Sequence, residues 1–306
     1  MTHYLFWRVI AIVMISVIQA SIASAEQKTP SQVFVEVNAF HLSLNSYYPE
    51  SANNKNLQLD KIDIDDATSS DVYFLAAALN EKLRILLAKN DVVGFKQVTL
   101  SKDEITQMDI FELIKTAQNN LTLLTGAPVK VKKLTVPSLP SVVLREVIMA
   151  NRLLDAILLG EINPKYPYSV VNRIQHELQR IYSHKGLPLM EYKYHYEFLR
   201  ITPTDVFDSS EIFHNQLRLF SNHLFDHYDS RKAYYIPKDK SSIEPYHVFT
   251  LSVVNLYQIY LLENKLGLTP DHTYIPQFKD DAQPKTVYHG YNKVNSMLSS
   301  LIVNWH

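Results

Sequence analysis

One pattern recurs eight times along this chain and limits what the chain can fold into. Each copy opens with Val or Ile, and the opening residues are Val33, Val72, Ile110, Val142, Val170, Val206, Val248 and Val287. The positions eleven residues further on are always Leu or Ile: Leu44, Leu83, Leu121, Leu153, Ile181, Leu217, Ile259 and Leu298. The position seven residues on is apolar in six copies, with Glu177 and Asn255 as the exceptions. Because offsets 0, 7 and 11 share one face of an α-helix, the pattern predicts eight amphipathic helices that bury equivalent faces.

The residues ahead of the opening positions are typical of helix starts. Four copies carry a threonine four residues before the opening residue: Thr29, Thr68, Thr106 and Thr202. A threonine at that place caps the helix. A proline directly after it, as at Pro30 and Pro203, loses no hydrogen bond, because the N–H at the first helical position has no partner within the helix. The consensus T-P-x-x-V-F/Y…L therefore predicts an all-α fold built from a degenerate helical repeat.

The spacing of the copies gives the domain organisation. Successive opening residues are 28 to 42 residues apart, so most links are long compared with those in ordinary helical bundles. A long link could run back along a helix and leave successive helices parallel, or it could contain a short helix of its own. The closest spacing lies across residues 160–165. We therefore expect two four-helix halves, residues 26–161 and 162–306, packed as one body.

The N-terminal residues predict export. Arg8 precedes an apolar run that is too short to span a bilayer, and Ala23-Ser24-Ala25 follows as a cleavage pattern. We expect residues 1–25 to be a signal peptide cleaved after Ala25, and the mature protein to be periplasmic or secreted. No later segment is long and apolar enough to suggest a transmembrane helix. The chain contains no cysteine, so its stability must come from its core rather than from disulfides.

Charge and motifs narrow the function classes. The 306 residues include 30 basic and 31 acidic ones, a balance that gives no electrostatic reason to expect a nucleic-acid partner. The sequence contains no phosphate-binding glycine loop, dinucleotide fingerprint or nucleophile elbow. We therefore expect no cofactor.

Polar residues recur in the middle of the predicted helices, where asparagine is not a favoured helix former. The candidate ligand-binding residues are Asn80, Gln118, Asn119, Asn151, His214, Asn215 and Asn295. They could line a ligand groove, form a hydrogen-bonding seam between helices that fixes their register, or simply be exposed.

Histidine spacing suggests one metal site. His223 and His227 form an H-x-x-x-H pair that would share a helix face. A polar helix end is the alternative, since no third ligand is evident. His176 and Glu177 resemble the start of a zinc-protease motif, but Arg180 occupies the position of its second histidine.

These patterns favour an exported, non-enzymatic helical-repeat protein that binds a ligand or acts as a scaffold in the cell envelope. A metal-dependent hydrolase that uses His223 and His227 is one alternative. A structural partner within an envelope complex is another, and it would expose an apolar patch. The sequence does not identify the protein or small molecule that would be bound.

Overall fold

The fold is described from a computed structural model, which covers residues 28–52, 64, 67–96, 104–132, 134, 139–188, 192, 200–224, 240–271, 274 and 279–305. The predicted signal peptide, residues 1–25, lies outside the described residues.

Eight long helices make up the described chain, and none of its residues lies in a β-strand. The helices are α1 (Pro30–Tyr47), α2 (Ser69–Lys89), α3 (Gln107–Thr125), α4 (Pro140–Ile157), α5 (Lys165–His184), α6 (Pro203–Leu224), α7 (Pro245–Lys265) and α8 (Pro284–Val303). A four-residue helix, Pro49–Ala52, follows α1, and a short 3-10 helix, Lys240–Ser242, precedes α7. The all-α class and the eight principal helices are confirmed.

The four predicted threonine caps lie at the starts of their helices. Thr29, Thr68 and Thr106 each accept the backbone N–H of the residue three positions on, whose side chain in turn accepts the N–H of the threonine. Thr202 and Asp205 make the same exchange at α6. All eight Leu or Ile positions eleven residues after the opening residues are buried, which confirms the predicted inward face.

The first four helices run in the same direction. At the starts of α2 and α3, Gln107 Nε2 donates to Ser69 Oγ at 2.8 Å. At the ends of α1 and α3, the Tyr47 hydroxyl lies 3.5 Å from the Thr125 carbonyl oxygen. Helix α4 is parallel to α2. Asn151 bonds to Leu75, and one turn later in α4 Asp155 pairs with Lys82, which also lies later in α2.

The last four helices are also parallel to one another. Tyr166 packs on Phe249 at the starts of α5 and α7, and Arg180 bonds to Glu263 near their ends. Helices α6 and α8 are matched in the same way, since Ser209 bonds to Asn292 and Phe220 packs on Trp305 just beyond α8.

The two groups of four meet through α2 and α7, which run in opposite directions. Tyr73, near the start of α2, interacts with Tyr257 in the second half of α7. Lys82, later in α2, interacts instead with His247 near the start of α7. Helices α2 and α7 therefore form the centre of the molecule, and each buries residues around most of its circumference.

Link length follows helix direction. Between α4 and α5 the chain reverses through residues 158–164, which span roughly 23 Å when fully extended and could not run back along a helix of about 27 Å. The other links join parallel helices and must return to the starting end. The predicted boundary after residue 161 falls within the short link. None of the described helices is both long and apolar enough to cross a membrane.

Candidate functional site

The mid-helix amides of the first four helices bond across helix contacts. Asn80 Nδ2 donates to the Leu113 carbonyl oxygen, and Asn151 Nδ2 donates to that of Leu75, each at 3.0 Å. Gln118 Nε2 reaches the backbone oxygen of Glu36 at 3.0 Å and its side chain at 2.7 Å. These buried bonds tie each helix to its neighbour at a fixed level, as a register-fixing seam would.

The last four helices contain comparable bonds. Asn295 Nδ2 donates to the Ser209 carbonyl oxygen at 3.0 Å. Ser209 and Leu75 both stand three residues after the opening residue of their helix. His214 Nδ1 lies 3.0 Å from Asn255 Oδ1, while Asn255 Nδ2 donates to the Ser210 carbonyl oxygen. The ring nitrogen therefore donates, and burial lowers the pKa of His214 to about 4.

The other candidate residues lie elsewhere. Asn119 and Asn215 are exposed on α3 and α6. His223 is exposed in the last turn of α6, and His227 lies outside the described residues. Within the described ranges, no group of three or more histidine, aspartate or glutamate side chains is placed to hold a metal ion.

An acid pair that the sequence reasoning did not select is buried between α5 and α7. The side chains of Glu177 and Glu263 are both fully buried. Arg180 Nη1 donates to Glu177 Oε2 at 2.6 Å and to Glu263 Oε1 at 2.9 Å. Arg180 Nη2 also donates to the Thr269 carbonyl oxygen at 2.6 Å, so one guanidinium joins α5, α7 and the link after α7.

Glu263 is the protonated member of this pair. Glu177 Oε1 and Glu263 Oε2 are buried and accept no N–H or O–H from the described residues. Burial, followed by the neighbouring charge of Glu177, raises the pKa of Glu263 to about 9. At neutral pH Glu263 therefore keeps its proton beside the charge of Glu177.

A second buried charge lies between α2 and α4. Lys82 Nζ is 2.7 Å from Asp155 Oδ1 and donates to Asn151 Oδ1 at 3.1 Å. Burial lowers the pKa of Lys82, and Asp155 opposes that shift.

One sequence signal pointed towards the acid pair, because Glu177 breaks the apolar stripe. No comparable signal marked Lys82.

An open groove lies along α1, and its local structure begins at the end of α3. Gly126 ends α3 in the left-handed conformation, with φ of 70°. The Thr125 hydroxyl then accepts the N–H of Ala127 at 3.3 Å. The start of α4 lies at the opposite end of the first four helices, and the described link residues 127–130, 132 and 134 lie alongside α1.

This α1–α3 groove has a volume of about 600 Å³. Its apolar lining residues are Val35, Ala39, Leu42, Leu121, Ala127, Pro128, Val129 and Leu134. The uncharged polar lining residues are Asn38, Ser43, Ser46, Tyr47 and Thr125. Among the described residues, Lys130 and Lys132 are the charged members of the lining, and no acid is present. None of the mid-helix candidate residues lines it.

The groove surface leaves apolar side chains in water. Leu42 is 53% exposed and Leu134 is 44% exposed. The Asn38 side chain on the groove wall donates to Glu146 of α4 at 3.2 Å, and the same carboxylate lies 2.7 Å from His41. These contacts hold the α1 wall of the groove against α4, while its apolar residues face outwards.

No family model and no curated protein matches the chain, and no solved structure matches it.

Proposed function

We propose that this protein is an exported, non-enzymatic binding protein whose α1–α3 groove holds an elongated apolar ligand with an anionic end. The observation that supports this most directly is an apolar groove in which the charged residues of the described lining are two lysines. Its volume falls within the range of small-molecule sites, which are mainly apolar with a few polar groups that orient the ligand.

The chemistry of the ligand follows from the lining. An acyl chain or similar apolar body would cover Leu42, Val129 and Leu134, and each apolar square ångström removed from water contributes about 25 cal/mol. A carboxylate or other anion would lie against Lys130 and Lys132. A cationic amphiphile would be repelled by these lysines, since no acid lines the described part of the groove.

Calorimetric titration of the mature chain, residues 26–306, with sodium dodecanoate tests the proposal. We expect measurable binding of dodecanoate, weaker binding of hexanoate because its tail is shorter, and little binding of dodecyltrimethylammonium. Leu42→Gln should weaken dodecanoate binding roughly threefold, since it removes about half of a leucine contact of about 1.5 kcal/mol. Replacing both Lys130 and Lys132 with glutamine should abolish the preference for the anion.

Leu219→Gln is the matched control, because Leu219 is 61% exposed on α6 and does not line the groove. If Leu219→Gln weakens binding as much as Leu42→Gln does, the groove is not the site. Equal affinity of the wild-type protein for the anionic and the cationic amphiphile would likewise rule out the lysine contacts.

A structural partner within an envelope complex is the second candidate. Val131 and Leu139 are also exposed, on the link between α3 and α4 that contributes to the groove wall. Exposed apolar residues gathered around a groove are typical of protein interaction sites. If dodecanoate fails to bind, crosslinking in the envelope through a photoreactive residue at position 131 tests this candidate, and an uncrosslinked chain would exclude it.

A further inference from the structure

A second concavity lies between α5 and α8, and its lining is mainly polar and basic, whereas that of the α1–α3 groove is mainly apolar. This α5–α8 pocket has a volume of about 410 Å³. Its charged lining residues are Lys279, Lys285 and Lys293, and Tyr168, Asn172 and Gln175 face them. A pocket of this size holds roughly a dozen water molecules.

Sequence spacing explains the two walls of the pocket. Lys285, His289 and Lys293 lie four residues apart along α8, so they form one stripe on its surface. Tyr168 and Asn172 begin a similar stripe on α5. Because α5 and α8 are parallel and in contact, a basic stripe runs beside a stripe of neutral hydrogen-bonding groups.

Close helix packing holds the two stripes in place. A Cβ atom at Gly290 would lie 2.8 Å from Val171 Cγ1, so only glycine lets α8 approach α5 this closely. Further along, the Tyr182 hydroxyl donates to the Met297 carbonyl oxygen at 2.6 Å. The pocket is therefore built on two rigidly joined helices, with Gly290 in its wall.

The electrostatics of the pocket favour an anion. Within the described ranges no acidic residue lines it, and the nearby Asp280 carboxylate lies 3.6 Å from Lys165 Nζ. Three cations around one concave surface raise the local potential, although the whole chain carries a formal charge of only −1. Burial and the adjacent Lys285 lower the pKa of His289, so its neutral ring still offers one N–H donor.

We propose that the α5–α8 pocket binds a phosphate group, either free or esterified to a small polar molecule. Lysines provide compact positive charges suited to phosphate oxygens. The pocket is larger than a bare phosphate, and Tyr168, Asn172 and Gln175 can bond to hydroxyl groups of an esterified ligand. This site is independent of the α1–α3 groove, so either can fail without the other.

Calorimetric titration of the mature chain with inorganic phosphate and with glycerol 3-phosphate, at low ionic strength, tests this site. We expect binding that weakens as sodium chloride is added. Lys293→Gln should weaken it roughly tenfold, through loss of one charge-assisted contact. Lys265→Gln removes the same charge from the last turn of α7, outside the pocket, and should change the affinity by less than twofold.

The two ligands distinguish the two sources of phosphate. Tighter binding of glycerol 3-phosphate supports an esterified ligand, and equal binding supports the free ion. No heat from either ligand at 10 mM would overturn the proposal, as would equal weakening by Lys293→Gln and Lys265→Gln. A thermal melt of each variant establishes that it is folded before titration.

Discussion

Replacing Glu263 with glutamine should stabilise this protein at neutral pH. Glu263 is fully buried, accepts a bond from Arg180 and has a raised pKa beside Glu177. Glutamine reproduces the protonated acid, because its oxygen can accept from Arg180 and its amide can donate to Glu177. The substitution therefore keeps the contacts and removes the group that titrates.

The magnitude follows from proton linkage. The pKa of Glu263 is raised from 4.5 to about 9 in the folded protein. Above pH 4.5 the unfolded chain releases this proton while the folded chain retains it, so stability falls as the pH rises towards 9. At pH 7 the accumulated loss is about 3 kcal/mol at 1.36 kcal/mol per pH unit, and glutamine would avoid it.

Urea unfolding of the wild-type and Glu263→Gln proteins between pH 4.5 and 8.5 measures this difference. The two curves should nearly coincide at pH 4.5, and at pH 7 the variant midpoint should be higher by about 1 M urea if m is about 3 kcal/mol per M. Glu161→Gln is the control, because Glu161 forms an exposed pair with Lys89, and it should have little effect. A Glu263→Gln variant less stable than wild type at every pH would refute the protonated state of Glu263 and indicate a true carboxylate paired with Arg180.

Three further substitutions test the packing by urea unfolding. Lys82→Met should cost about 3 kcal/mol, because it leaves Asp155 buried without its cation. Gly290→Ala should cost about 1 to 3 kcal/mol, because its Cβ would clash with Val171. Leu83→Ala should cost about 2 to 5 kcal/mol, because it truncates a fully buried leucine of the inward face.

Each of these predictions has its own refuting result. Adding Asp155→Leu to Lys82→Met should recover most of the loss, and no recovery would show that the lysine stem rather than the charge matters. Adding Val171→Ala should rescue Gly290→Ala; if it does not, the clash is not the cause. A loss below about half a kcal/mol for Leu83→Ala would place that residue on the surface.

The sequence was sufficient for the helices because their signals are local. Thr68 and Asp71, for example, stand only three residues apart and make their own cap. The inward face could also be predicted, since one helix carries its own period. Helix direction was left open by the sequence, although the short link 158–164 and the longer links contained that information in their lengths.

The buried acid pair and the roles of the mid-helix amides could not be predicted for a different reason. Their partners meet only through tertiary packing. Glu177 and Glu263 come together because α5 and α7 are parallel, and no local pattern relates them. The mid-helix amides looked like ligand contacts, yet Asn80 and Asn151 bond to backbone oxygens of neighbouring helices. In a single sequence, a buried asparagine that fixes register cannot be told apart from one that contacts a ligand.

The parallel arrangement of the helices also restricts the order in which the chain can fold. Helices α1 and α4 are joined by contacts such as that between Asn38 and Glu146, which are 108 residues apart in sequence. Among the described long helices, neither four-helix group contains a hairpin of successive antiparallel helices that could form early and serve as a template. Helix α1 stays unpacked until α3 and α4 are in place, because its main contacts are with these two helices. We therefore expect slow, highly cooperative folding, with exposed apolar helices until each group of four is complete.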